Sequence, residues 1–247
     1  HNKSAGKFEE VSDQIGAENY WPWGISVGDL NADGFDDVFI TASMNYPFRH
    51  AVNSVLLNDK GKAFLDSEFI LGVEPRSDGR LAEPWFELLY NGADKGHPAC
   101  KLIPENSRSG RGVVWSALGT RSSVMFDLDG DGDLDIVTNE YNSKPMVLIS
   151  NLAESKKKIS YMKINLIGTK SNRDALGATV RLRVGPQTYY KVYDGQSGYL
   201  SQSLYPLYFG LGGATTIDEI EVTWPTGEKQ TEMGPIKVNQ TLSIKER

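Results

Sequence analysis

The stretch Ser123-Val124-Met125-Phe126-Asp127-Leu128-Asp129-Gly130-Asp131-Gly132-Asp133-Leu134-Asp135-Ile136-Val137-Thr138 decides how this chain folds. A short apolar run enters a polar loop, and a β-branched run leaves it, which reads as two strands joined by a charged connection. A second copy is Gly24-Ile25-Ser26-Val27-Gly28-Asp29-Leu30-Asn31-Ala32-Asp33-Gly34-Phe35-Asp36-Asp37-Val38-Phe39-Ile40-Thr41. Asp and Gly are common in ordinary hairpin turns. Two copies with the same spacing make a repeat the better reading.

Counted from the first Asp, positions 1, 3, 5 and 9 are Asp29, Asn31, Asp33 and Asp37, or Asp127, Asp129, Asp131 and Asp135. Position 6 is Gly34 or Gly132, which permits the tight turn. Alternate side-chain oxygens can then close around one hard cation. The backbone carbonyl of Phe35 or Asp133 would add a ligand. An all-oxygen set without sulfur or imidazole favours Ca²⁺, and a strict octahedral Mg²⁺ shell suits a flexible loop less well. Two Ca²⁺ sites are expected. An EF-hand would need a bidentate Glu at position 12 between helices. Ile40 or Thr138 stands there, between strands. Clustered carboxylates repel, so an ion is expected to hold each loop shut and stiffen it, in a structural rather than catalytic role.

The rest of the chain is consistent with a β protein. Its 247 residues include 25 Gly and 25 aromatics, and suffice for one large or two moderate domains. The net charge is −6, yet the two Asp loops hold nine of the 32 acidic side chains. Outside them 23 acids face 26 bases, so the body is near neutral and a nucleic-acid surface is not expected. A single cysteine, Cys100, excludes an internal disulfide and reads as a buried thiol. No run approaches the length of a transmembrane helix. The sequons Asn2-Lys3-Ser4 and Asn239-Gln240-Thr241 carry meaning only in a eukaryotic secreted protein.

The two Asp loops begin 98 residues apart, whereas Gly6-Lys7-Phe8 and Gly61-Lys62-Ala63-Phe64 place their Phe residues 56 apart. The excess is assigned to an insertion at about 66–113, rich in Gly, Pro and charge. Such an insertion is a functional surface loop or poorly ordered. Within it, Pro84-Trp85-Phe86-Glu87-Leu88-Leu89-Tyr90 is a helical or extended anchor. Val55-Leu56-Leu57-Asn58 and Val147-Leu148-Ile149-Ser150-Asn151 are expected to end the two units. Glu154-Ser155-Lys156-Lys157-Lys158 marks a linker, giving domains 1–155 and 156–247. The tail reads as strands at 161–167, 178–184, 188–193, 204–209, 217–224 and 240–244, separated by turns such as Pro225-Thr226-Gly227. The fold class is therefore all-β: a partial β-propeller of about two blades, then a small sandwich or barrel-like domain.

Other chemistry is thin. His1, His50 and His97 are scattered, and His97 near Cys100 lacks a placed acid. Arg173, beside Asn172 and Asp174, reads as a buried ion-pair hub, or less readily as a ligand contact. Tyr189, Tyr190, Tyr193, Tyr199, Tyr205 and Tyr208 suit a sugar-binding surface, but their alternation along strands favours packing.

The Asp-x-Asp/Asn-x-Asp-Gly-x-x-Asp units resemble FG-GAP/VCBS repeats, the calcium-binding blades of integrin-like propellers. The tail resembles the ASPIC/UnbV domain that follows such repeats. Its matching stretches are Ser171-Asn172-Arg173-Asp174-Ala175-Leu176-Gly177-Ala178, Gly195-Gln196-Ser197-Gly198-Tyr199-Leu200-Ser201-Gln202-Ser203, Phe209-Gly210-Leu211-Gly212 and Ile220-Glu221-Val222-Thr223-Trp224-Pro225-Thr226-Gly227. The insertion lies outside the resemblance. It implies a secreted, cell-surface or periplasmic protein in adhesion, matrix or protein–protein interaction, with an extracellular protein or glycan as ligand, and no known active site. A propeller needs four to eight blades. The missing ones are expected from a preceding segment, another chain or self-association, and the start at His1 fits a C-terminal or processed piece. The alternative is part of a secreted carbohydrate-active enzyme, with its catalytic site in the insertion or in absent blades.

Overall fold

The computed structural model describes residues 1–19, 22–42, 52–102, 104–107, 109–155, 158–196 and 198–247. His50, Lys156, Lys157 and Ser197 lie outside them. Among the described residues the chain is nearly all β, with two one-turn α-helices, α1 (Ser12–Ile15) and α2 (Leu152–Ser155), and two short 3-10 helices, Pro98–Leu102 and Glu105–Ser107.

The first Asp loop joins β1 (Pro22–Gly28) to β2 (Asp37–Ala42), and β3 (Ser54–Asn58) and β4 (Phe64–Asp66) complete a four-stranded antiparallel sheet in that order. β5 (Ala82–Leu89) and β6 (Arg111–Ala117) form a separate antiparallel pair. The second Asp loop joins β7 (Gly119–Phe126) to β8 (Asp135–Tyr141), with short β9 (Val147–Leu148) outside. The repeat is thus structural: Val38 pairs with Leu56 as Ile136 pairs with Leu148. Phe39 and Val55 of the first sheet share a core with Ile136, Val73, Met125 and Leu148. The inner strands β1 and β7 lie side by side, where the Ser26 and Ser123 hydroxyls meet at 2.7 Å.

The insertion is more tightly built than its composition implies. Its first part drives three charged side chains into the blades. Glu68 accepts the Val55 N–H, Glu74 accepts the Asn53 N–H and side-chain amide, and Arg76 pairs with Glu140 at 2.6 Å. Each of these four charges is buried. The stretch from Pro84 to Leu89 is extended as part of β5, not helical, and Tyr90 lies in the turn that follows. Leu88 and Tyr90 bury Cys100 with Ala99, so the thiol belongs to a small core.

The tail contains β10 (Tyr161–Ile167), β11 (Ala178–Val184), β12 (Gln187–Tyr193), β13 (Leu207–Gly210), β14 (Thr216–Thr223), β15 (Lys229–Lys237) and β16 (Gln240–Lys245). They form two open sheets, β13-β10-β16 and β12-β11-β14-β15. Met162, Ile164 and Leu166 of β10 pack against Val180 and Leu182 of β11 and Ile220 and Val222 of β14. Alternate apolar residues thus fill the space between two layers, and the tail is a sandwich. β15 was not expected from the sequence. Its Lys-Gln-Thr-Glu-Met-Gly-Pro-Ile-Lys reads as loop, but at the edge of the sheet a Gly-Pro pair is tolerated.

Candidate metal centre

Each loop is built on one carboxylate that holds its own backbone. In the second loop, Asp135 accepts the N–H of Leu128 at 2.7 Å and of Ser150, beyond β9, at 2.8 Å. In the first, Asp37 accepts the N–H of Leu30 at 2.8 Å and of Asn58 at 2.7 Å. Position 9 therefore ties the loop to the end of the third strand. Asn58 and Ser150 lie in the segments that end the two units, and no side-chain pattern marks them as partners of position 9. They serve through backbone N–H groups, which any residue supplies.

The loops differ in what they gather. Ligand oxygens of Asp127, Asp129 and Asp135 lie within 4.8 Å of one another, and no other acidic trio does so among the described residues. A Ca²⁺ bound at about 2.3–2.6 Å from each ligand spaces its oxygens up to about 5 Å apart, so this trio fits a hard cation. Asp131 is outside the trio and accepts the Asp133 N–H at 3.1 Å. The buried Asp133 carboxylate turns to α2, where one oxygen accepts the Ala153 N–H at 2.8 Å. Among the described residues its other oxygen accepts no hydrogen bond of ordinary geometry. Burial pushes the Asp133 carboxyl above its ordinary pKa, as do Asp131 and Asp135, against the Ala153 N–H.

In the first loop, Asn31 takes position 3 and Asp29 turns onto its own backbone. The two oxygens of Asp29 accept the N–H groups of Asp33 at 3.0 Å and Gly34 at 2.7 Å. Asp33 accepts the Phe35 N–H at 3.0 Å. Burial pushes Asp29 up to about 7 and Asp37 up to about 6, despite these N–H donors. Of the two expected sites, the second has its carboxylates assembled and the first does not. The first has fewer acidic groups, and Gly210 of the tail approaches so closely that a Cβ there would overlap the Asp29 carboxylate.

The tail covers both loops. Lys163 Nζ lies 2.6 Å from Asp127 Oδ2, and Lys191 Nζ lies 2.5 Å from Asp36 Oδ1. The Gly212 N–H donates to the Ala32 carbonyl at 3.0 Å, and the Tyr208 hydroxyl donates to the Gly132 carbonyl at 3.0 Å. Gly132 has φ +103, and a Cβ there would overlap the Tyr161 ring. The tyrosines are mostly committed to packing. Tyr193 donates to the Leu204 carbonyl, Tyr205 stacks on Phe126, and Tyr199 tilts against Trp23. Tyr190 is 61 % exposed and lines a cleft of about 510 Å³ between β1, β7 and the tail.

Arg173 is not a buried hub. Its side chain is 87 % exposed and pairs with the adjacent Asp174 at 3.1 Å. The ordering role falls to Asn172, whose amide both donates to and accepts from Leu176, and to the buried Glu246. Glu246 receives the N–H groups of Thr169, Lys170 and Ser171 and the Ser171 hydroxyl. His97 accepts the Ala99 N–H at 3.1 Å and meets Phe86 edge-on, while Cys100 donates to the Asp94 carbonyl.

Residues 168–247 match the family described as ASPIC and UnbV, and residues 1–40 match the FG-GAP-like repeat. Two separate stretches of the chain are thus similar to these two families. It is also 25 % identical to cartilage acidic protein 1 of Xenopus tropicalis over 266 aligned positions, covering 98 % of this chain. The chain spans about 40 % of that relative's length. The ASPIC/UnbV match begins within the tail sandwich and includes Glu246, so the buried carboxylate belongs to the matched region. Among the described residues, no helix is long and apolar enough to cross a membrane.

Proposed function

We propose that this chain is a calcium-stabilised, non-enzymatic interaction module of a secreted, cell-surface or periplasmic protein. Residues 1–155 are its propeller blades and 156–247 its ASPIC/UnbV-type β domain. The observation that carries the reading is the convergence of Asp127, Asp129 and Asp135 in a strand-flanked loop. Those three carboxylates would hold the ion, with the backbone carbonyl of Asp133 and the side chain of Asp131 completing the set. What the ion supplies is positive charge that offsets five neighbouring Asp and fixes the β7–β8 connection. The first loop, through Asp29, Asn31, Asp33, Asp37 and the Phe35 carbonyl, would take a second ion after Asp29 reorients.

The blade sheets are open, and apolar side chains stand exposed on and beside them: Leu65 on β4 with Phe69, Ile70 and Leu71 in the turn after it, and Val147 on β9 with Ile149 just past it and Leu128 in the Asp loop. Faces of this kind pack against neighbouring blades in a propeller. The neighbours come from a preceding segment, another chain or further copies of this one. An extracellular protein or glycan is the class of ligand for the completed assembly. Thermal unfolding of EDTA-stripped protein tests the stabilising role. Millimolar Ca²⁺ is expected to raise the midpoint by several degrees, since a ligand at 100 times its dissociation constant adds about 2.7 kcal/mol. An unchanged midpoint contradicts the reading.

A further inference from the structure

We infer that Lys163 is a built-in competitor for the cation of the second Asp loop, so that metal binding there and the seating of the tail on that loop oppose each other. The inference rests on the calcium reading above.

Lys163 lies on β10 between the buried Met162 and Ile164, so strand alternation carries its side chain out of the sandwich core and onto the loop. Its ammonium is 2.6 Å from Asp127 Oδ2, with 18 % of the lysine side chain and 2 % of the aspartate side chain exposed. Little water remains to weaken the pair. The ammonium also lies 5.4 Å from the Tyr161 ring centre, and Tyr161 stacks on Tyr208, which is bonded to the loop. The other Asp127 oxygen accepts the Gly130 N–H at 2.7 Å. One of the three converged carboxylates therefore has both oxygens engaged, one of them by a full positive charge.

A divalent cation that takes Asp127 must displace the ammonium or sit beside it. The first loses a shielded ion pair between tail and loop, and the second sets like charges a few ångströms apart. Either way the two equilibria are linked, and by reciprocity each weakens the other by the same factor. The molecule carries its own control. Lys191 makes an equally short contact, but with Asp36, which occupies no ligand position in either loop. The two lysines separate tail docking in general from competition for the ion.

Calorimetric titration of the EDTA-stripped full chain with CaCl₂ at low ionic strength tests this. Lys163→Met is expected to bind about tenfold more tightly than the wild type, a gain that shrinks as salt is added. Lys163→Gln removes the charge but keeps a polar tip. It is expected to follow Lys163→Met, and covers the case in which the methionine variant fails to fold. Lys191→Met is expected to leave the affinity within about twofold of wild type, because its charge faces a group outside the ligand set. Ca²⁺ is also expected to raise the unfolding midpoint of Lys163→Met more than that of the wild type. Unchanged or weaker Ca²⁺ binding by both Lys163 variants would overturn the competition, showing Lys163 to be a prop for the loop. Absence of Ca²⁺ binding by the wild type would overturn the calcium reading itself.

Discussion

The carboxylate of Asp37 accepts the backbone N–H of Asn58 at 2.7 Å, across 21 residues of chain, and Asp135 repeats the contact with Ser150 at 2.8 Å. Each of these aspartates also holds an N–H inside its loop, so the same residue closes the turn and ties it to the sheet. Asp135→Ala leaves the N–H groups of Leu128 and Ser150 without their acceptor. It is expected to cost about 2–4 kcal/mol, with Asp135→Asn between it and the wild type. Urea denaturation in EDTA measures this separately from any effect of metal.

The insertion is held by charge in a place with little water. Arg76 pairs with Glu140, which also accepts the hydroxyls of Thr120 and Thr138. Arg76→Met strands a buried carboxylate and is expected to cost about 3–5 kcal/mol. Arg76→Met with Glu140→Gln is expected to recover much of the loss, because the amide oxygen still serves both threonines. A double-mutant cycle by chemical denaturation measures the coupling.

Without metal, the first loop sets the pH response near neutrality. Burial raises Asp29 from 3.8 to about 7 and Asp37 from 3.8 to about 6. Between those values the folded state binds more protons than the unfolded one, so their contribution to stability declines as pH rises. Unfolding midpoints in EDTA are expected to fall between about pH 4 and pH 7 and then level off. Midpoints that rise across that range would contradict the assignment.

Glu246 has the opposite sign. Burial alone would raise it, but the N–H groups of Ser171, Thr169 and Lys170 and the Ser171 hydroxyl hold it at about 2, below the ordinary 4.5. Its contribution is present above the unfolded value and lost as pH falls from about 4.5 towards 2. Glu246→Gln is expected to destabilise the protein at pH 7 and to flatten its acid limb. Circular dichroism melts at stepped pH read both effects.

Strand alternation and turn residues were enough to place β10, β11 and most of β14, because these strands bury one regular apolar face. The Asp spacing located both loops for the same reason: ligand geometry is local and repeats in sequence. What sequence could not carry was non-local. The Asp29 carboxylate turns onto its own loop beneath Gly210, far along the chain, so identical spacing produced one assembled trio rather than two. Glu68, Glu74 and Arg76 look like solvated charges until the blades surround them. Asn172, Asp174 and Arg173 looked like one hub, yet the adjacent amide does the ordering while the guanidinium faces water.

Calorimetric titration of the EDTA-stripped chain with CaCl₂ tests the central claim most directly. At least one site is expected, abolished by Asp127→Asn with Asp129→Asn and retained by Asp29→Asn. A wild type that releases no binding heat and shows no change in unfolding midpoint with Ca²⁺ would contradict it.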